Sequence, residues 1–548
     1  MTEDINEREA IQTEGVDPSE KQKRVTDIAE IRHKVEERRQ AESATSNPGP
    51  GMKGGSGGGI TRTFIQRALY ANELGDGMIF AEHFRDQYVF AAKAAETYLW
   101  AGHFWALDVL NTELAAVETV AEIYLEEAHR LVSDIDAAIK AKNKEAVAAL
   151  EDLQGKIYKR VLRLRSDRGR VNTIKFAHTN PENAIAISGD EFDRDPWLLA
   201  CLNGVVDLRT GQLRPGRPSD YITKVAPVEW LGLYYPSLLW ERFFFEILQG
   251  DVDTIDFLSR LFGYSITGVI KEHIFPIFVG EGRNGKGTIF ETLFYVLGDY
   301  AAPINPAMLL QEKYPRGADA PRPATVELKG MRLLVASEPD ENVKLATSRI
   351  KSLCSADTQT GRGIQDRRAT VFPPTHKIHL ATNNLPQVPY HDFAFWERCV
   401  IIRFFLNFVT REPSRTNERP ADIHLPEKLK AEASGILAWL VRGCLAWQNH
   451  GLNPPKSVIL ESKEYRKQQD NIGIVDFIEQ CCEVNNYSWT SSIDLYNRFK
   501  TRWVKIGGDE KKIPTINKFG RDFVVHFTRN KKNDVHGYQG VRLKNSID

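Results

Sequence analysis

Cysteine is scarce in this sequence and never occurs in a motif. Six cysteines are spread over 548 residues, and no two of them form a Cys-x-x-Cys pair. The absence of such pairs argues against a zinc site built on cysteine and against a disulfide framework. A reducing cytoplasm is therefore the expected compartment.

Long apolar runs and an excess of charge of one sign are also missing. No stretch of about 18 apolar residues occurs, and the N-terminus is acidic and polar, so we expect neither a membrane segment nor a secretory signal. The 72 Lys and Arg balance 73 Asp and Glu, giving a formal net charge of −1. Any binding of nucleic acid must therefore come from local clusters of basic residues.

The composition divides the chain into a tail and several globular parts. Residues 1–59 combine a densely charged segment with a Pro- and Gly-rich stretch, which predicts a disordered charged tail and a flexible linker. Residues 60–240 predict an α+β domain, with helices around 64–74 and 111–164 followed by short strands.

A cluster of arginines lies at the end of the predicted helices. Its members are Arg160, Arg163, Arg165, Arg168 and Arg170. The cluster can contact nucleic acid or can form an ordinary solvated helix face, and the second alternative is favoured.

The most informative stretch runs from 274 to 297. An apolar, β-branched run leads into a glycine-rich turn that ends in Gly285-Lys286, and a helix-like apolar pattern follows. Glycines in the turn let backbone N–H groups approach phosphate oxygens, the lysine ammonium reaches the β- and γ-phosphates, and the helix N-terminus adds partial positive charge. The sequence therefore predicts a nucleoside triphosphate cradle made of Gly280, Glu281, Gly282, Arg283, Asn284, Gly285, Lys286, Gly287 and Thr288.

The cradle departs from the usual motif at the position that binds magnesium. Gly287 follows the lysine where a Ser or Thr hydroxyl normally holds Mg²⁺, and the hydroxyl comes one residue later, at Thr288. Two alternatives stay open. Either Thr288 reaches the metal, or it contacts a phosphate and the metal relies on water and an acidic side chain.

An acidic residue follows the next predicted strand of the core. Residues 331–337 have a strand-like pattern, and Glu338 comes directly after them. A carboxylate at this end of a strand can hold Mg²⁺ and polarise the attacking water. Glu338 is the first candidate, and Asp340 and Glu341 on the following loop are the alternatives.

Two further polar residues, Asn383 and Arg398, lie at positions where they could take part in hydrolysis of the nucleotide. Asn383 ends a third predicted strand, where its amide can orient water against the γ-phosphate, although Asn-x-x-Pro is also a common turn. Arg398 lies in an apolar segment that can anchor it so that it reaches the nucleotide of a neighbouring subunit. An arginine that acts in this way implies a ring of subunits.

Together these parts resemble the superfamily 3 helicases of the AAA+ class, in particular the phage/plasmid-primase-like and poxvirus primase-helicase-like types. The resemblance covers about residue 150 to the end. It also includes the stretch from Asp195 to Gly211 and the run from Arg349 to Leu353, which is followed by Asp357.

The resemblance implies an α/β fold with an AAA+ P-loop core at 241–410, whose central sheet is parallel. A helical lid at 411–470 and a winged-helix-like domain at 471–548 would follow the core. A homo-hexameric ring would use ATP and Mg²⁺ to move 3′ to 5′ on single-stranded DNA in its channel. A hairpin at 359–372 would contact that strand through Arg367 and Arg368, and the winged helix would contact duplex DNA.

Two functions therefore remain open. The first is a DNA helicase that acts in replication of a phage, plasmid or integrated element. The second is an AAA+ switch that assembles on DNA or on a partner protein without unwinding. No acidic pair on strand-like sequence precedes the region of resemblance, so we expect no primase activity.

Overall fold

The computed structural model describes residues 59–312, 323–337, 344–363, 369–470, 473–506 and 513–544. Nearly all of the tail predicted for 1–59 lies outside these ranges. So do five residues with predicted roles, namely Glu338, Asp340, Glu341, Arg367 and Arg368.

The first region consists of five helices and a small four-stranded sheet. The helices are α1 (Arg62–Tyr70), α2 (Glu73–His83), α3 (Thr112–Lys140), α4 (Lys144–Leu164) and α5 (Asp167–Thr179). The strands are β1 (Tyr88–Ala91), β2 (Glu96–Trp100), β3 (Trp105–Leu107) and β4 (Ala186–Ile187), in the order β3-β2-β1-β4.

This region differs from the sequence-based expectation in two ways. The helix expected over 111–164 is divided, because Lys142 adopts a left-handed φ of 56° and the Asn143 side chain accepts from the N–H of Ala146 to start α4. Strands β1 to β3 precede the arginine cluster, where no strand was predicted. They are too short for an apolar alternation to stand out, and β2 is exposed or half-buried along its whole length.

A three-stranded antiparallel sheet and two helices lead into the central sheet. They are β5 (Leu198–Cys201), β6 (Gly204–Asp207), β7 (Gln212–Arg214), α6 (Leu238–Ile247) and α7 (Val252–Ser265). The next elements are β8 (Phe275–Val279), α8 (Lys286–Leu297), β9 (Ala301–Ile304), α9 (Pro323–Val326), β10 (Leu333–Ser337), α10 (Thr347–Leu353), β11 (Gln359–Gly361), β12 (Thr370–Phe372), β13 (Lys377–Thr382), α11 (Phe393–Trp396) and β14 (Cys399–Arg403).

The central sheet is parallel and buried on both faces. Its order is β14-β8-β13-β10-β9, and every neighbouring pair of strands is parallel. Alternate residues of β8 face opposite sides, since Phe278 joins one apolar cluster whereas Phe275 and Ile277 join another. Strands covered on both sides need continuous apolar sequence, which is why these segments could be recognised. The predicted α/β class with a central parallel sheet is confirmed.

Two further groups of elements follow the sheet. The first contains β15 (Asn407–Val409), β16 (Glu418–Pro420), α12 (Leu425–Ala431), α13 (Ala433–His450) and α14 (Lys456–Gln468). The second, called here the C-terminal unit, contains α15 (Ile474–Cys481), β17 (Cys482–Ser491), α16 (Ser492–Lys505), α17 (Ile516–Phe523), β18 (Thr528–Lys532) and β19 (Val535–Leu543).

The C-terminal unit has an apolar core of its own. Its three strands form an antiparallel sheet in the order β17-β19-β18, and Phe477, Phe499, Phe519 and Phe523 are buried together. All six cysteines of the chain, two of them in this unit, are buried and free. Within the described ranges, no helix combines the length and the apolar content needed to cross a bilayer.

Candidate nucleotide-binding site

The glycine-rich loop lies at the carboxyl edge of the central sheet, between two neighbouring strands. It begins where β8 ends, and the N–H of Gly280 donates to the carbonyl oxygen of Thr382 at 3.3 Å. On the other side, the N–H of Phe404 donates to the carbonyl oxygen of Val279 at 2.8 Å. The loop is therefore fixed between the ends of β13 and β14, where parallel sheets usually bind ligands.

The backbone of the loop requires glycine at two positions for different reasons. A Cβ at Gly280 would lie 2.3 Å from Nδ2 of Asn284 and 2.7 Å from the carbonyl oxygen of Phe404. Gly285 has a φ of +89°, which side chains rarely adopt, and a Cβ there would meet Ile247 of α6 at 3.0 Å. Gly280 is therefore required by close packing, and Gly285 by backbone conformation.

Lys286 is the first residue of α8, and its side chain turns back into the loop. Its Nζ donates to the carbonyl oxygen of Gly280 at 2.7 Å, to Oδ1 of Asn284 at 3.1 Å and to Oδ1 of Asn383 at 3.4 Å. Only 7% of Lys286 is exposed. The structure therefore brings together three of the residues predicted for the site, namely Asn284, Lys286 and Asn383.

The donors around the loop suit an anion. The Gly285 N-cap offers no side chain, and the first turn of α8 contains no acidic residue, so neither places a carboxylate on the N–H groups of this helix end. Nδ2 of Asn284 is buried and has no hydrogen-bond partner among the residues that the structure describes. An ammonium, a buried amide N–H₂ and a helix N-terminus together fit the phosphates of a nucleotide.

The predicted magnesium site is only partly contained in the described ranges. Thr288, one of the two predicted ligands, is half-buried in the first turn of α8. Gly287 before it is exposed, and a Cβ built there meets no atom within 4 Å among the described residues outside its own helix. Strand β10 ends at Ser337, paired with Ala381 of β13 near the same edge of the sheet, and Glu338 lies beyond the described residues.

Arg398 lies at the opposite edge of the sheet. It precedes β14, and its carbonyl oxygen accepts from the N–H of Phe275, the first residue of β8. Since β14 runs parallel to β8 for five residues, about 16 Å of strand separates Arg398 from the edge that carries the loop. The structure therefore does not bring Arg398 to the loop of its own chain.

The arginine nearest to the loop on β14 is a different one. Arg403 pairs with Val279 in the sheet, and its Nε donates to a carboxylate oxygen of Glu461 at 2.7 Å. This ion pair ties the end of β14 to helix α14.

Two contacts of the loop could not be read from the sequence. The N–H of Phe408 in β15 donates to the carbonyl oxygen of Arg283 at 2.7 Å, so the chain after β14 lies against the loop. Phe243 and Ile247 of α6 lie behind Gly285. Both contacts are distant in sequence, and no local pattern in residues 238–247 or 404–421 indicates them.

A buried histidine lies in the strand that leads to Asn383. His379 packs against the rings of Phe262 and Phe278, with ring centroids 5.9 Å away in each case. Burial lowers the pKa of His379 to about 4, so the ring is neutral near pH 7. It serves as a core side chain under the site.

The two strands of the predicted hairpin between α10 and β13 are present. Strand β11 pairs antiparallel with β12, from Gln359 opposite Phe372 to Gly361 opposite Thr370. The segment that contains Arg367 and Arg368 lies outside the described residues.

Most arginines of the cluster near residue 165 are engaged in ion pairs. Arg160 lies 3.3 Å from Asp76, Arg165 lies 2.7 Å from Glu118, and Arg163 pairs with Glu73. These pairs favour the structural alternative for the cluster over a nucleic-acid contact.

Comparison with known proteins finds viral relatives that are named putative helicases or putative primases. The family described as "D5 N terminal like" matches residues 77–249. A protein of Acanthamoeba polyphaga mimivirus, named Putative helicase L207/L206, is 29% identical over 57% of this chain and 33% of its own length. Putative helicase 022R of Frog virus 3 is 26% identical over 57% of this chain and 39% of its own length.

Another relative carries a different name. Putative primase C962R of African swine fever virus is 25% identical over 42% of this chain and 24% of its own length. The chain thus matches between about a quarter and two fifths of the length of these relatives. The A form apo structure of the NrS-1 C terminal region aligns with 56% of this chain and 78% of its own, at 10% identity and a TM-score of 0.35. The resemblance to primase-helicase-like proteins of phages and viruses, predicted from the motifs, is confirmed by the viral relatives.

Proposed function

We propose that this chain is an ATP-dependent DNA helicase that acts in the replication of a virus, phage, plasmid or integrated element. It assembles as a ring, with nucleotide bound between neighbouring subunits, and it moves 3′ to 5′ along a single strand in the central channel. The helicase names of the viral relatives support the broad role.

One observation carries the proposal. Lys286 and Asn383 meet beside the glycine-rich loop at one edge of the sheet, whereas Arg398 lies at the other edge. Each chain therefore offers the loop, Lys286 and Asn383 at one edge and Arg398 at the other. A second copy of the chain that brings its Arg398 to this loop completes the hydrolytic site. This arrangement supports assembly with ATP at the subunit boundary.

The proposed roles follow from the chemistry of each side chain. The loop N–H groups and Lys286 bind the phosphates, and Asn383 orients the attacking water. Arg398 of the next subunit stabilises charge that develops on the transferred phosphoryl group. Mg²⁺, when bound, neutralises phosphate charge. In our proposal Thr288 and Glu338 hold it, with Asp340 or Glu341 as alternatives for the carboxylate.

The surrounding parts are assigned in the same proposal. We take residues 241–410 as an AAA+ core, 411–470 as its helical lid and 471–548 as a winged-helix-like domain that contacts duplex DNA. The strand order of the central sheet, with β8 between β13 and β14, supports the first assignment. The helices, three strands and separate core of the C-terminal unit support the third.

Strand-separation assays test the proposal. We expect the chain to unwind a duplex with a 3′ single-stranded tail in the presence of ATP, and to leave a 5′-tailed duplex intact. The variant R367A/R368A should lose unwinding while its basal ATP hydrolysis persists. A control that removes two exposed arginines elsewhere, R67A/R85A, should unwind normally.

The assays also separate the proposal from the non-unwinding switch. If ATP is hydrolysed but neither tailed duplex is separated, and R367A/R368A behaves like the control, the switch is the better description. Primer synthesis is a separate question, since one relative is named a primase. We expect no primers from the chain with template, nucleoside triphosphates and Mg²⁺.

A further inference from the structure

The chain between Asn383 and Arg398 is held by helix α14 at several points. We call residues 386–398 the bridging segment. The hydroxyl of Tyr465 donates to the carbonyl oxygen of Pro386 at 2.5 Å, and the N–H of Val388 donates to Oε1 of Gln469 at 3.0 Å. The rings of Tyr465 and Trp396 meet edge to face, with centroids 5.1 Å apart. Helix α14 and Gln469, the residue that follows it, therefore contact the bridging segment near both of its ends.

Arg466 of the same helix lies among the aromatic rings of the bridging segment. Its guanidinium carbon is 5.3 Å from the ring centroid of Tyr390 and 5.9 Å from those of Phe393 and Trp396. Nε and Nη2 of Arg466 are buried and find no hydrogen-bond partner in the described part of the chain. Arg466 as a whole is half-buried. Burying two donors of a cation without partners is costly for folding alone, and an aliphatic side chain would fill the same space without that cost.

The C-terminal unit holds the same segment from the other side. Tyr390 is 7% exposed and is buried with the core residues of that unit, including Phe477 and Phe523. Its hydroxyl oxygen lies 2.7 Å from Nε2 of His526, and Nδ1 of His391 lies 3.1 Å from Oδ1 of Asp522. A movement of the C-terminal unit therefore acts directly on residues 390 and 391.

The bridging segment in turn sets the position of Arg398. Nη1 of Arg398 donates to the carbonyl oxygen of Ala394 in α11 at 2.6 Å. Asp392 accepts from the N–H of Phe395 at 3.2 Å to start α11. Because Tyr390 and Trp396 lie on either side of these contacts in the chain, their placement fixes the short helix α11, against which the Arg398 guanidinium is held.

We propose that Arg466 and Tyr390 are positioning residues for Arg398, and that through them the C-terminal unit controls ATP hydrolysis on the neighbouring chain. This inference rests on the proposed function, in which Arg398 acts across a subunit boundary. It adds a direction of control. A C-terminal unit that moves when it engages its ligand shifts the arginine supplied to the next subunit and leaves its own loop unchanged.

Mixed assemblies test the inference. A chain with K286M cannot hydrolyse ATP at its own loop but still offers Arg398 to a neighbour. A chain with R398A keeps its own loop intact but offers no arginine to the neighbour. Mixing the two should restore ATP hydrolysis that neither has alone. Adding R466M to the K286M chain should lower the restored rate about ten-fold, because the donated arginine is misplaced. The same change in the R398A chain should leave the rate within about two-fold.

Three further variants protect the interpretation against misfolding. Y390F keeps the ring but removes the hydroxyl that meets His526, and it should lower the rate only in the K286M chain. R466K keeps a cation over the rings and should restore most of the loss. R442M is the matched control, since Arg442 contacts Leu233, Tyr235 and Glu241 and no residue of the bridging segment. It should have no effect in either chain.

The outcomes separate the inference from the proposed function. If mixing K286M with R398A restores nothing, catalysis across subunits is wrong, and the inference falls with it. If mixing restores hydrolysis but R466M and Y390F lower it equally in both chains, or in neither, the proposed function stands and the positioning role is refuted.

Discussion

Nζ of Lys286 lies 2.7 Å from the carbonyl oxygen of Gly280, the residue with which the glycine-rich loop begins. The ammonium thus lies inside the curve of the loop, with the amide oxygens of Asn284 and Asn383 as its other partners. Phosphate oxygens are charged and accept hydrogen bonds more strongly than these neutral oxygens. A triphosphate that enters the loop would therefore compete successfully for Lys286.

The first prediction concerns Lys286 itself. K286M should lower ATP hydrolysis by about a thousand-fold or more, because it removes the cation that meets the transferred phosphoryl group. K286R should fail as well, since a planar guanidinium does not fit where a buried ammonium lies between Gly280 and Asn284. Phosphate release and binding of a fluorescent ATP analogue measure both effects. K93M, at an exposed lysine of the first region, is the control, and equal activity of K286M and K93M would contradict the assignment.

Asn383 should affect catalysis more than binding. N383A should lower kcat for ATP hydrolysis by about a hundred-fold and change KM little, because the amide acts on the attacking water rather than on the bound nucleotide. Steady-state kinetics separate the two parameters. N384A is a close control, since the backbone oxygen of Asn384 accepts from the Thr382 hydroxyl and this bond survives the change. A rise in KM with unchanged kcat would instead place Asn383 in nucleotide binding.

The position after Lys286 offers a test of magnesium binding. A side chain at Gly287 has open space around it, so G287S should fold normally and restore the hydroxyl that the usual motif supplies. We expect G287S to hydrolyse ATP at lower Mg²⁺ concentrations than the wild type. T288A should need about ten-fold more Mg²⁺ if Thr288 is the ligand, and G287S/T288A should recover. If T288A leaves the Mg²⁺ requirement unchanged, the metal relies on water and a carboxylate.

The sequence predicts those parts of the site that depend on local chemistry. Gly280, Gly285 and Lys286 lie together in one loop, so their pattern and the apolar strand before them suffice. Asn383 could be placed beside Lys286 because parallel strands end at a common edge. The contacts of Arg466 with Tyr390 join residues from separate elements, and no periodicity encodes such pairs.

Asp76 provides a prediction about pH and stability. Its carboxylate accepts from the Tyr124 hydroxyl at 3.1 Å and lies 3.3 Å from Nη1 of Arg160. Burial nevertheless raises the pKa of Asp76 to about 6. The folded protein therefore binds this proton more tightly than the unfolded chain does. As the pH rises from about 4 to 7 the proton is lost, and the free energy of unfolding falls.

D76N removes this titration. The wild type should therefore lose stability between pH 4 and pH 7 that D76N does not lose. The difference between their free energies of unfolding should shift in favour of D76N by about 3 kcal/mol at most. Urea denaturation of both proteins at the two pH values measures this difference, and the constant effects of the substitution cancel. D152N is the control, because Asp152 is largely exposed and pairs with Lys156 at the surface. A difference that does not change with pH would show that Asp76 is ionised throughout.

The crossing of α7 and α13 depends on glycine, and this gives the last prediction. A Cβ at Gly443 would lie 2.0 Å from the carbonyl oxygen of Ser259, and a Cβ at Gly263 would lie 2.1 Å from the backbone nitrogen of Cys444. Neither neighbour can rotate away, because both are backbone atoms. G443A should therefore force the helices apart and destabilise the protein by about 3 kcal/mol. G155A is the matched control, since Gly155 lies inside α4 with no atom near a new Cβ, and alanine there should stabilise the helix by about 0.5 to 1 kcal/mol. Thermal denaturation should show opposite shifts for the two variants. A similar gain in stability for both would mean that helix propensity, rather than the close crossing, decides the outcome.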